Sequence, residues 1–84
     1  MTRTRVLVVD DVDLFRTGLS AALRAAGFGI CGEAASAEGA VTASESLLPD
    51  IVVLDILMPG LSGLEVVEKI LAVSPATTSS MAVA

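Results

Sequence analysis

"RVLVVDDVD", Arg5 to Asp13, runs four aliphatic residues into two adjacent aspartates, and a third follows at Asp13. A continuous aliphatic run of this length reads as a strand covered on both faces, the habit of parallel sheets. Carboxylates crowded at its end repel one another, so that end needs a use for them. The same design returns in "IVVLDILMPG", Ile51 to Gly60, where an aliphatic strand ends in the single carboxylate Asp55.

Between and after these strands the pattern alternates. A helix is predicted from about Asp13 to Ala26, with Asp13 as its N-cap and Gly27 as its C-cap. Phe15, Leu19, Ala22, Leu23 and Ala26 recur at three-four spacing and predict the buried face, leaving Arg16, Ser20 and Arg24 on the other. A weaker strand covers Ile30–Ala34. Ser36 caps a helix from Ala37 to Leu48, which Pro49 stops. After the 51–54 strand, Ser62-Gly63-Leu64-Glu65 has the Ser-x-x-Glu form of a capping box and opens a helix to about Val73. Val66, Val67, Ile70 and Leu71 of that helix face inward, and Pro75 closes the region.

Strand-helix alternation with two-sided burial predicts an α/β fold with a parallel sheet and right-handed crossovers. In the flavodoxin-like strand order, strands one and three are neighbours across the switch point, where ligands bind beyond the carboxyl ends of the strands. Asp10, Asp11 and Asp55 then share one sheet edge. Clustered carboxylates either take up protons or hold a cation. An oxygen-only set suits a hard divalent ion such as Mg²⁺. Once the charge is offset, one carboxylate can act as a nucleophile toward a phosphoryl group.

Composition narrows the function classes. The 84 residues suffice for one small domain, and 54% of them are hydrophobic, which excludes a disordered chain. Phe15 and Phe28 are the only aromatic residues, so the core must be aliphatic. A net charge of −5 does not suit a nucleic-acid binder, which needs a basic face. The single cysteine, Cys31, permits no internal disulfide and reads as a small buried hydrophobe in a reducing compartment. Histidine is absent, which excludes histidine catalysis and most zinc sites. No apolar run reaches the length of a membrane span, and a cytoplasmic location is expected.

These residues resemble the receiver domain of bacterial two-component response regulators, over nearly the whole chain. "VLVVDD" is similar to that family's first strand and acidic pair. "VVLDILMPGLSGLE" is similar to its phosphoacceptor strand and loop, with the specific pattern hydrophobic-Asp-x-x-Met-Pro-x-x-x-Gly. "DLFRTGLSAAL" and "CGEAASAEGAV" further resemble the branch with a LuxR-type helix-turn-helix output (NarL/FixJ-like). The resemblance implies a CheY-like doubly wound sheet and a signalling acceptor in place of a turnover enzyme. It implies Asp55 as acceptor of a phosphoryl group from a sensor histidine kinase. Asp11 and Asp55 would ligate Mg²⁺ directly, Asp10 through water, and the Leu57 backbone carbonyl would complete the set. Pro59 and Gly63 would shape the loop and the third helix, with Met58 as packing.

The family's domain has five strands and five helices, whereas residues 1–84 reach about strand four. A truncated receiver domain of three to four strands and three helices is therefore expected, with self-association through an exposed sheet edge. Val83 falls where the family has a Thr or Ser; Ser80 is the nearby hydroxyl, and Ser79 and Ser80 make a poor strand. The only lysine, Lys69, falls on the third helix, where pairing with Glu65 accounts for it. Two other readings remain: a receiver-like fragment or dimerisation module that does not signal, and a haloacid dehalogenase-type phosphatase built on Asp11-Val12-Asp13, whose further motifs are absent.

Overall fold

A computed structural model describes residues 3–55, 63–77 and 82–83. The described elements are β1 (Arg5–Val9), α1 (Asp13–Ala25), β2 (Gly29–Ala34), α2 (Ala37–Leu47), β3 (Ile51–Leu54), α3 (Gly63–Val73), a 3₁₀ turn at Pro75–Thr77 and β4 (Ala82–Val83). The strands form one parallel sheet in the order β2-β1-β3-β4. The parallel sheet is the one that the alternation predicts, and its order is the incomplete, doubly wound flavodoxin-like arrangement that the resemblance implies.

Side-chain alternation divides the sheet's residues between two faces. Leu7 and Val9 of β1 join Val52 and Leu54 of β3 on one face, where Ala37 and Ala40 of α2 and Val66 and Ile70 of α3 close over them. None of these eight is more than 5% exposed. Val6 and Val8 point to the opposite face and are also fully buried. There α1 packs on β1 and β2. Their register partners on β3, Ile51 and Val53, are only half-buried.

The ends of the helices follow local chemistry. Ser36 Oγ accepts from the Gly39 amide at 3.0 Å, the predicted N-cap of α2. Gly27, at φ 99°, ends α1 in a Schellman turn: its amide donates to Arg24 O and the Phe28 amide to Leu23 O, both at 3.0 Å. α2 instead ends on Leu48 in the left-handed conformation, φ 48°. Its last turn carries no basic residue. Arg5 of β1 supplies the charge, donating through Nη1 to the carbonyls of Leu47 and Leu48 at 2.6 and 3.1 Å.

β2 carries an irregularity against β1: Val6 pairs with Ile30 and Leu7 with Gly32, so Cys31 is the extra residue. A Cβ at Gly32 would lie 2.6 Å from Leu47 Cδ1, so any larger residue there must displace the end of the Leu47 side chain. Cys31 is half-buried against the core, and burial pushes its thiol pKa up. After α3, the Thr77 hydroxyl is buried 2.6 Å from Pro49 O and 2.8 Å from Ser74 Oγ. This ties the segment after α3 to the entry of β3.

Two expectations need correction. The covered face of α1 runs through Arg16, Leu19, Ser20 and Leu23; Ser20 is 1% exposed, whereas Phe15 is 64% exposed and Ala22 and Ala26 are exposed too. The helix lies on β1 and β2 with Leu19 and Leu23 of the predicted stripe toward them and Phe15, Ala22 and Ala26 turned outward. Asp13 is the first helical residue and not the cap; Val12 is the N-cap and makes no side-chain cap bond. Asp13 instead pairs with Arg16.

Candidate metal and phosphoacceptor site

Backbone ladders carry the acidic residues to one place. The Asp10 amide donates to Ala34 O at 3.0 Å, extending the β1–β2 pairing by one residue. The Asp55 amide donates to Val9 O at 3.1 Å, extending β1–β3 in the same way. Since Val9 pairs with Leu54, Asp10 and Asp55 leave adjacent strands side by side. Parallel strands advance in step, so their carboxyl ends coincide without any help from side chains.

Asp10, Asp11 and Asp55 each present a carboxylate oxygen within 4.8 Å of the others'. Asp10 and Asp55 are half-buried and Asp11 is exposed. Mg²⁺ takes oxygen at about 2.0–2.1 Å and keeps several waters, so it is held by one or two carboxylates directly. A ceiling of 4.8 Å puts all three carboxylates within reach of a single ion and its waters. The donor set, all hard oxygen, fits the same ion.

The turn that carries Asp10 and Asp11 is held through Asp10. Asp10 Oδ1 accepts from the Val12 amide at 2.9 Å, closing an Asx turn. The Asp10 carbonyl accepts from Arg16 Nη1 at 2.8 Å. Arg16 also meets the Asp13 carboxylate through Nη2 at 2.5 Å and lies 3.4 Å from Glu33 through Nε. Its side chain is only 17% exposed. Sequence reasoning placed Arg16 on the solvent face and missed it. One signal was present: a cation in the first turns of a helix opposes the helix dipole, so something other than local helix chemistry holds it there.

A model of the response regulator receiver domain matches residues 6–83. The chain belongs to the receiver domain family. Receiver domains are signalling modules of two-component systems, and they bind Mg²⁺ at an acidic cluster. The chain is 44% identical over 72 residues to the response regulator GacA of Pseudomonas viridiflava, covering 84% of this chain and 34% of that protein. It thus spans about a third of that relative's length. The crystal structure of a LuxR-family two-component response regulator from Aurantimonas superposes with a TM-score of 0.83 at 28% identity, covering 98% of this chain and 58% of that one. The CheX–CheY–BeF₃–Mg²⁺ complex from Borrelia burgdorferi aligns at 0.76 with 31% identity, over 94% and 57%.

The other residues singled out in the sequence divide in two. Lys69 is exposed on α3 and lines a groove between α2 and α3 with Glu38, Val41 and Thr42. Val83 pairs with Leu54, one step before Asp55. Leu57, Met58, Pro59, Ser62, Ser79 and Ser80 lie outside the described residues.

Proposed function

We propose that residues 1–84 act as a phosphoacceptor receiver domain in which Asp55 takes a phosphoryl group from a sensor histidine kinase. The observation that carries this reading is the convergence of Asp10, Asp11 and Asp55 within 4.8 Å at the carboxyl ends of adjacent strands. In the transfer, a carboxylate oxygen of Asp55 forms a bond to phosphorus as the bond from phosphorus to the donor's imidazole nitrogen breaks. The departing imidazole takes up a proton. Asp11 and Asp55 would hold Mg²⁺ directly and Asp10 through water, and the resemblance to the family adds the Leu57 carbonyl as the remaining protein ligand. The ion supplies charge stabilisation to the transferring oxygens.

Three further parts of the reading have their own support. A cytoplasmic location goes with this reading, since it is typical of the family. The likeness to GacA and to the Aurantimonas regulator favours a LuxR-type output for the whole protein, and the net charge of −5 leaves nucleic-acid contact to such an output. β4 is one of the two edge strands of the described sheet, and an edge of this kind favours self-association.

The test is direct. The purified chain is incubated with Mg²⁺ and acetyl phosphate, and intact mass is followed. Gain of one phosphoryl group, lost in Asp55→Asn and on omission of Mg²⁺, is the expected outcome. A modified Asp55→Asn variant would overturn the assignment.

A further inference from the structure

We propose that Arg16 is a positioning residue that aims Asp11 at the cation. This rests on the Mg²⁺ reading of the acidic site. The two neighbouring aspartates are held very differently. Asp10 is fixed at three atoms: its amide to Ala34 O, its Oδ1 by the Val12 amide, and its carbonyl by Arg16 Nη1. Among the described residues, no hydrogen bond or ion pair holds the Asp11 side chain, which is exposed. Its direction is therefore set by the backbone that delivers it.

That backbone is the planar Asp10–Asp11 peptide. Its carbonyl is the group Arg16 holds. Fixing that oxygen fixes the plane, and with it the path on which the Asp11 Cα and side chain leave the turn. A guanidinium suits the task because its donors form a rigid fork. One arm reaches the Asp10 carbonyl, another the Asp13 carboxylate at the start of α1, and Nε faces Glu33 on β2. The turn is thus braced against a helix and a neighbouring strand at once. Asp13 and Glu33 also offset the positive charge, which would otherwise oppose a cation nearby.

That charge gives the test its sign. If Arg16 acted only through its charge, removing it would tighten Mg²⁺ binding. If it acted only on stability, melting would shift while the folded chain kept its affinity. A positioning role predicts weaker binding. Mg²⁺ titrations of the full chain, followed by amide NMR, are run on the parent, Arg16→Met, Arg16→Gln and Arg16→Lys. Met keeps the apolar stem without donors. The Gln amide ends where Nε stands, short of the Asp10 carbonyl, and it decides the matter should Met not fold.

The expected result is Kd raised about tenfold in Met and Gln, the scale of one lost charge-assisted hydrogen bond, with partial recovery in Lys, which regains a charged donor. The Asp11 amide peak should move in the Mg²⁺-free spectra of Met and Gln. A parent that ignores Mg²⁺ removes the site reading itself. A parent that binds, with Met or Gln binding as tightly or more so, overturns the role of Arg16 alone.

Discussion

The two faces of the sheet use the same alternating strands and end up differently covered. Under α2 and α3, Leu7, Val9, Val52 and Leu54 are at most 1% exposed. On the α1 side, Val6 and Val8 are equally buried, yet Ile51 and Val53 beside them are half open, and Leu14 and Phe15 of α1 stand 78% and 64% exposed. Two helices share the first face, α2 over β1 and β2 with α3 packed beside it; one helix sits over β1 and β2 on the second. Stability is therefore concentrated on the first face, while the second holds apolar surface that contributes little to it.

The sharpest way to break this contrast is to truncate one side chain on each side. Leu7→Ala should cost about 2–5 kcal/mol, because the cavity opens between α2, α3 and the sheet. Phe15→Ala should stay within about 0.5 kcal/mol, although phenylalanine is the larger residue. Urea unfolding followed by circular dichroism measures both, and equal costs would erase the distinction. If exposed apolar surface on α1 also drives association, Phe15→Ala will lower it in sedimentation while leaving the midpoint in place.

A smaller effect probes both faces together. Ser20 on α1 and Ser44 on α2 are at most 1% exposed, and neither hydroxyl has a hydrogen-bond partner among the described residues. Ser44→Ala should stabilise by about 1 kcal/mol, since a desolvated hydroxyl is removed with little change of shape. Ser20→Ala should gain less if water reaches it through the thinner cover on its side. A further small effect belongs to Leu48, whose left-handed backbone is strained for a leucine. Its side chain is 55% exposed. Leu48→Gly should add about 0.5 kcal/mol, the relief of strain less the entropy that glycine brings to the unfolded chain. A loss instead would show that the Leu48 side chain packs usefully.

The parts legible in the sequence were those decided by local rules. Ile51–Leu54 is the strand its four aliphatic residues suggest, and Ser36 and Gly27 end their helices by chemistry that needs no tertiary partner. The meeting of Asp10, Asp11 and Asp55 was legible as well, because parallel register follows from the alternation of elements. α1 was not. Amphipathic spacing shows which stripe is apolar; of its five positions the sheet covers Leu19 and Leu23 and leaves Phe15, Ala22 and Ala26 outside, a rotation that spacing does not show. Arg16 was hidden for the same reason. An arginine reads as a solvent residue until its partners, one on a turn and one on another strand, are brought to it by the fold.

The ladder bonds that place Asp10 and Asp55 carry a thermodynamic consequence. The acidic triangle exists only while β1, β2 and β3 are paired in register, so the unfolded chain has no equivalent site. A cation that binds the native chain alone stabilises it by mass action, about 2.7 kcal/mol when its free concentration is a hundred times Kd. Domains of this size have thin margins, near 0.05–0.15 kcal/mol per residue. On the proposed Mg²⁺ reading, occupancy of the site and the fraction folded are linked quantities, and a melting curve then describes the chain only at a stated Mg²⁺ concentration.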